Sequence, residues 1–313
     1  MKPKIFVDGA EGTTGLEIRE RLTPRTELDI LEIPEVLRKD RDERARLLNA
    51  ADIAILCLPD TAAKESVALV TNPRTKILDA STAHRVAEDW CYGLPEIGLR
   101  ENIRTAQRVA NCGCHATGFI LAVQPLVAVG ALPRSAQLVA TSLTGYSGGG
   151  KSLIAAYQTG DAATNLPVAP YALGFAHKHL PEMRTFGGLD NDPVFMPVVG
   201  NFHRGMIVST FFRASDFARC LTLADIRDIY SAAFAAEPFI RVMPENEGLD
   251  NGFMSPLTCN GTNRVELFVV GRADGEQICV MARFDNLGKG ASGAAIQNLN
   301  LMLGAPETTG LKQ

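Results

Sequence analysis

The sequence predicts an α/β fold: a Rossmann-type, doubly wound parallel sheet, followed by an α+β domain built on a largely antiparallel sheet. Three observations predict it. Short apolar runs alternate with helix-compatible stretches over the first third of the chain, a glycine-rich turn joins the first run to the first helix, and from about Gly130 the apolar runs lengthen and the alternation changes. Strands that alternate with helices pair in parallel, because each crossover helix returns the chain to the same end of the sheet.

In chain order, residues 4–8 (Lys-Ile-Phe-Val-Asp) read as a strand ending in a glycine turn, and 14–22 as a helix with a polar outer face. Further strands are predicted at 27–33, 53–58, 76–78 and 108–110, with helices at 42–49 and 62–69 between them. The later strands are longer, at 137–143, 194–197, 206–212, 264–270 and 277–284. Residues 291–303 are apolar at helical spacing after Gly288-Lys289-Gly290, which predicts a buried closing helix. The resulting division is a first domain of residues 1–115 completed by 286–313, and a second of 116–285.

At 313 residues the chain has the length for about two domains, each with its own core. Hydrophobic residues at 46% and charged residues at 21% place it among chains that fold. A net charge of −4 with interspersed signs offers no basic face, so nucleic acid is not an expected partner and an anionic substrate must be held by a local pocket. The opening Met-Lys-Pro-Lys-Ile-Phe-Val is too short an apolar stretch for a secretion signal, and no run approaches the roughly 18 residues of a membrane span. The expected location is the cytoplasm, where seven cysteines read as thiols and their individual reactivity becomes the question.

The turn Gly9-Ala10-Glu11-Gly12-Thr13-Thr14-Gly15 lies between strand and helix, where glycines let the backbone approach a pyrophosphate and the helix end offers free N–H groups. Gly9, Gly12, Thr13, Thr14 and Gly15 are therefore candidate cofactor-binding residues. Cofactor choice stays open at this level. Glu32, at the end of the second strand, would bind a ribose 2′-hydroxyl, whereas Arg38 and Lys39 just beyond it could hold a 2′-phosphate.

Cys114 stands in Asn111-Cys112-Gly113-Cys114-His115-Ala116-Thr117-Gly118, a small-residue turn between a predicted strand and an apolar helix predicted to start near Phe119. The positive end of a helix lowers a thiol pKa and raises the thiolate fraction near neutrality. A metal is not expected, since no second Cys-x-x-Cys cluster completes a ligand set. About sixty residues on, His177 and His179 put two of the five histidines within three residues. At i and i+2 in an extended segment they would face opposite sides, with one imidazole acting as acid-base beside the thiolate and the other, or Lys178, binding an anion. Residues 145–152, Gly-Tyr-Ser-Gly-Gly-Gly-Lys-Ser, match G-x-x-x-x-G-K-[ST] after a strand, a P-loop pattern and so a rival reading as a nucleotide hydrolase. Against it, no later strand ends in an aspartate placed for Mg²⁺.

Taken together, the residues Gly9 to Gly15, Asp79-x-Ser81-x-x-x-Arg85, Tyr92-Gly93-Leu94-Pro95-Glu96, Asn111-x-Gly113-Cys114, His177-x-His179-x-Pro181-Glu182, Arg204-Gly205-Met206 and Asp285 to Gly290 resemble the N-acetyl-γ-glutamyl-phosphate reductases in their shorter form. The resemblance implies NADPH-dependent reduction of an acyl phosphate to a semialdehyde, with release of inorganic phosphate, in arginine biosynthesis. It implies Cys114 as nucleophile and His179 as acid-base, with substrate contacts from His177, Ser81, Arg85, Ser147 and Arg204. For NADPH it implies Arg38 and Lys39 at the 2′-phosphate, and Asn286 and Gly290 beside the cofactor. The chain departs from the family's usual Asn-Pro-Gly-Cys-Tyr-Pro-Thr at Cys112, His115 and Ala116, which touches the turn and not the nucleophile position. Aspartate and aminoadipate semialdehyde dehydrogenases share this chemistry and remain alternatives, as does a nicotinamide-sensing protein that keeps the fold without catalysis. A homodimer or homotetramer is expected from the β-rich second domain.

Overall fold

The computed structural model describes residues 2–160 and 166–313. They form two units, one of residues up to Cys112 together with Ala291–Leu311, the other of Gly113–Gly290 with the last two residues. The helices in chain order are α1 (Thr13–Leu22), α2 (Arg41–Ala50), α3 (Asp60–Leu69) and α4 (Arg100–Thr105) in the first unit. Then come α5 (Cys114–Ala128), α6 (Gly150–Thr159), α7 (Leu180–Gly187) and α8 (Leu223–Ala233) in the second, and α9 (Gly293–Met302) back in the first.

The first unit is built on β1 (Lys4–Asp8), β2 (Asp29–Leu31), β3 (Ile53–Leu56), β4 (Lys76–Asp79), β5 (Cys91–Gly93) and β6 (Arg108–Asn111). They line up in the order β2-β1-β3-β4-β6-β5 and pair in parallel throughout. Alternate residues serve two cores. Ile5, Val7, Ile53 and Ile55 pack with Ile18 and Leu22 of α1 and Ile296 and Leu299 of α9, while Phe6, Ala54, Leu56 and Ile77 pack with Leu47 and Leu48 of α2. Burial on both faces is why these strands read as continuous apolar runs instead of alternating ones.

β5 escapes a sequence reading because three residues at a sheet edge show no periodicity. It is held by α9, whose Gln297, Asn298 and Asn300 are fully buried polar residues in the predicted apolar helix. Asn298 Nδ2 donates to Gly93 O of β5 and to Asn111 Oδ1 at the end of β6, both at 2.9 Å. Gln297 Nε2 donates to Glu96 Oε1 at 2.9 Å. The closing helix thus ties the edge strands by side-chain hydrogen bonds as well as by apolar burial.

The second unit is built on β7 (Val139–Gly145), β8 (Val168–Pro170), β9 (Val194–Gly200), β10 (Met206–Arg213), β11 (Ile240–Val242), β12 (Val265–Gly271) and β13 (Gln277–Phe284). Their order is β11-β12-β13-β10-β7-β9-β8. The sheet is mixed: β11–β12 and β7–β9 run parallel, and the other pairings are antiparallel, led by the eight-residue register from Met206↔Phe284 to Arg213↔Gln277. One face carries buried residues such as Ala140, Ser142, Val208, Phe212 and Val280, against which α5 packs. The other face leaves Val139, Val194, Met196 and Phe211 exposed. Among the described residues no helix is long and apolar enough to cross a membrane.

Candidate active site

In the first unit the glycine turn takes the conformation that close approach demands. Gly9 has φ +85°, where a Cβ would stand 2.4 Å from the Cys57 carbonyl oxygen, and a Cβ on Gly15 would stand 2.4 Å from Gly9 O. Gly12 is the N-cap of α1 and supplies no side-chain cap, so the first-turn N–H groups have no intrahelical acceptor. The Thr13 hydroxyl is buried among no hydrogen-bond partners. A cleft of about 710 Å³ opens over this turn, and Gly9, Glu11, Glu32, Arg38 and Lys39 all line it. Glu32 is engaged by Arg19 at 2.9 Å, while Arg38 spans Glu35 at 2.6 Å and Glu11 at 3.4 Å. Cations and carboxylates therefore face one another across the place where the two cofactor readings differ.

Sequence reasoning missed the buried group at the base of this cleft. Asp8, the last residue of β1, accepts from Arg44 Nη2 at 2.8 Å and from Ser66 Oγ at 2.9 Å. Nothing in spacing joins residues 8, 44 and 66. Also in this unit, the Ser81 hydroxyl donates to Asp79 Oδ2 at 2.7 Å, His84 Nδ1 lies 2.6 Å from the same oxygen, and Arg85 Nε donates to Asn111 O at 3.0 Å. Ser81 is thus positioned by the end of β4, and Arg85 braces the last residue of β6.

In the second unit Cys114 is the first residue of α5, half-buried, directly after the N-cap Gly113. The helix begins five residues before the predicted start at Phe119. Its first turn is made of small and polar residues, which carry no apolar periodicity, and Thr117 N closes onto Gly113 O at 2.8 Å. Gly290 lies against the cysteine: a Cβ there would stand 2.8 Å from Cys114 Cβ, so only glycine lets the two backbones come this close.

Glu182 joins the cysteine turn to the histidine segment. Its Oε2 accepts from Gly113 N at 3.1 Å, and its Oε1 lies 3.8 Å from His179 Nδ1. His179 is buried as the N-cap of α7. The expectation that His177 and His179 face opposite sides is corrected here. Leu180 N bonds back to His177 O at 3.0 Å, so the segment is a turn, and the two rings stand edge to face with centroids 4.7 Å apart. His179 N donates to His177 Nδ1 at 3.2 Å.

His115 is the centre of this cluster. Its ring lies 5.1 Å from that of His177 and 5.4 Å from that of His179. Its Nδ1 is 2.8 Å from Ser142 Oγ and its Nε2 2.8 Å from the Tyr171 hydroxyl. Burial first, and then electrostatic opposition from His177 and Lys178, push its pKa down to about 3, so it is neutral at physiological pH.

The P-loop reading of 145–152 fails on its hydrogen bonds. Gly145 N, Tyr146 N and Ser147 N donate to the carbonyls of Gly205, Phe202 and His203 at 3.0, 2.9 and 3.0 Å. Three of the loop's N–H groups are spent on a neighbouring loop and a fourth, Gly150 N, on Ser147 O, and β7 lies in a mixed sheet. The same bonds remove these three N–H groups from any substrate role and leave the Ser147 side chain. Ser147 Oγ accepts from Asn286 Nδ2 at 3.0 Å, and Asn286 Oδ1 accepts from Gly205 N at 2.8 Å. Arg204 Nη1 lies 3.4 Å from buried Asp285. Asn286 therefore links the Ser147 and Arg204 loops to the end of β13.

Residues 33–106 match the family described as "Semialdehyde dehydrogenase, NAD binding domain", and residues 114–286 match "Semialdehyde dehydrogenase, dimerisation domain". The chain is 47% identical to N-acetyl-gamma-glutamyl-phosphate reductase 2 of Nostoc sp., over 99% of both chains. It is 46% identical to the N-acetyl-gamma-glutamyl-phosphate reductase of Mesorhizobium japonicum, over 97% of this chain and all of that one. In fold it is similar to aspartate semialdehyde dehydrogenase II of Vibrio cholerae solved with ASA, at a TM-score of 0.72 and 15% identity over 97% of this chain and 98% of that one.

Proposed function

The chain belongs to the N-acetyl-γ-glutamyl-phosphate reductase family, and from that premise we propose that it reduces N-acetyl-γ-glutamyl phosphate to N-acetylglutamate 5-semialdehyde with NADPH, through a thioester on Cys114. The observation that carries the residue assignment is Glu182, which holds Gly113 beside the thiol with one oxygen and faces His179 with the other.

The glycine turn suits a dinucleotide. It has an uncapped helix start, a buried Thr13 hydroxyl among no partners, and a cleft bordered by Arg38 and Lys39. Gly9, Gly12, Thr13, Thr14 and Gly15 would hold the pyrophosphate, and Arg38 and Lys39 the 2′-phosphate. Bound NADPH supplies the hydride.

Cys114 at the start of α5 attacks the acyl carbon, forming the C–S bond as the phosphate departs with its bridging oxygen. His179 takes the thiol proton, with Glu182 orienting the imidazole. After hydride transfer, His179 gives its proton to the oxygen of the hemithioacetal and takes it back as the C–S bond breaks, so that the aldehyde leaves and the thiolate and protonated His179 remain. Thiolate serves first as nucleophile and then as leaving group, which a serine alkoxide does poorly. Substrate contacts are assigned to His177, Ser147 and Arg204, and by the family pattern to Ser81 and Arg85. Gly290 packs against Cys114, and Asn286 bonds Ser147 and Gly205, beside any role of either toward the cofactor.

The reverse reaction tests this reading. NADP⁺ should be reduced by N-acetylglutamate semialdehyde only when inorganic phosphate is present, and far faster than with NAD⁺ or aspartate semialdehyde. No turnover with any of these pairs overturns it.

The assembly proposed is a homodimer, or a dimer of dimers, through the exposed sheet face of Val139, Val194, Met196 and Phe211. The dimerisation-domain match covers all four residues. An arginine at position 211 would place a charge in the middle of that contact, so Phe211→Arg should elute as a monomer in light-scattering chromatography where the parent is a dimer. An unchanged mass would move the interface elsewhere. A cytoplasmic location accords with the free state of the seven cysteines.

A further inference from the structure

We propose that the Tyr171 hydroxyl is a further catalytic group, donating a hydrogen bond to the acyl oxygen of the species carried on Cys114, and that Ser142 and His115 are positioning residues that hold its proton outward. The proposal rests on Cys114 being the nucleophile.

The argument is an accounting of protons along one buried chain. His115 lies in the interior with one partner on each nitrogen, Ser142 Oγ on Nδ1 and the Tyr171 hydroxyl on Nε2, both at 2.8 Å. A neutral imidazole has one N–H and one acceptor nitrogen, so one partner must donate to the ring and the other must accept from it. Ser142 decides which. It is 1% exposed on the inner face of β7, and among the described residues its hydroxyl contacts His115 alone. Were it to accept from Nδ1–H, its own proton would be stranded in a dry interior, the costly arrangement that folded proteins avoid. Ser142 therefore donates to Nδ1.

The remaining steps follow from that polarity. With Nδ1 accepting, the imidazole proton sits on Nε2 and donates to the Tyr171 oxygen. The phenol proton is then spent on nothing within this chain of bonds, while Tyr171 is half-buried and open to a ligand. Burial and the nearby Cys114 charge both hold the phenol in its protonated form, which a donor requires. The backbone keeps the ring in place, since Tyr171 N donates to Pro197 O at 3.0 Å. A donor fixed on His115, the residue that follows Cys114, would stabilise the negative oxygen that develops as the thioester forms and as it is reduced. Polarisation along the relay makes the phenol a stronger donor than it would be alone.

The first test is spectroscopic and needs no variant to be active. In ¹⁵N spectra of the intact protein, the His115 resonance, assigned by its loss in His115→Asn, should report a neutral ring protonated on Nε2. A ring protonated on Nδ1 overturns the proposal. Kinetics supply the second. Tyr171→Phe should lower kcat by about 10²-fold with KM for the acyl phosphate changed less than about threefold, the pattern of a bond made in the transition state. Ser142→Ala should give a mixed tautomer and a kcat loss of about tenfold, and Ser142→Thr should restore both. A full kcat in Tyr171→Phe overturns the proposal while leaving Cys114 in its role. Persistence of turnover in Cys114→Ser would instead remove the reading on which the proposal stands.

Discussion

Cys114→Ser is expected to lose on the order of 10⁴-fold or more in kcat while still binding NADPH. The size of the loss follows from the double duty of the sulfur. At neutral pH a thiol supplies a few per cent of thiolate even unassisted. A serine hydroxyl at the same position has almost no anion to offer, and an oxygen ester accepts hydride and expels its alkoxide far less readily than a thioester. Neighbouring groups do not compensate, because in the proposed mechanism His179 and Glu182 move a proton and provide no nucleophile. Nucleotide fluorescence titration should show NADPH binding to the variant as tightly as to the parent, since the glycine turn belongs to another part of the chain. Turnover within tenfold of the parent would refute the thioester route.

The second large effect is on stability. The folded protein holds His115 neutral down to about pH 3, whereas in the unfolded chain it titrates near its ordinary value of about 6.5. Below that ordinary value the unfolded chain binds a proton that the folded protein refuses, so stability is complete above about pH 6.5 and is lost as pH falls towards 3. The whole interval is worth about 5 kcal/mol, at about 1.4 kcal/mol for each unit. Between pH 6.5 and 4.5 this one imidazole should cost about 3 kcal/mol. Burial is the main source of that resistance, and His177 and Lys178 supply the rest by opposing a proton that arrives on the ring. Urea unfolding of the parent and of His115→Gln should therefore diverge as the pH drops, with the parent losing stability faster. Parallel profiles would show that His115 accepts its proton in the folded state.

Much of the candidate site was visible in the order of residues, and for reasons that can be named. Gly9 to Gly15 stood out because a strand, a glycine turn and a helix are local features, and Cys114 because a thiol among small residues precedes an apolar helix. His177 and His179 stood out by composition alone. Their geometry did not: a turn closed by Leu180 N brings the rings together where an extended segment would have parted them. The P-loop pattern misled in the opposite way. Its letters match, but a pattern does not say where N–H groups point, and those of 145–147 are bonded to residues 202–205.

By itself the sequence determined the alternation of strands and helices, the parallel character of the first sheet, the change of pattern in the second, and the family through which a reaction could be named. These depend on the periodicity of burial and on motifs a few residues long, both of which are written locally. Only the tertiary structure decided that Glu182 meets Gly113, that Ser142 and Tyr171 bracket His115, that Asp8 is held by Arg44 and Ser66, and that Asn298 ties β5 to β6. Each of these contacts joins residues from 27 to 205 positions apart, set by how strands order themselves in a sheet. A polar side chain carries no mark of its distant partner, and which one it meets is settled only when the core closes and every buried donor must find an acceptor.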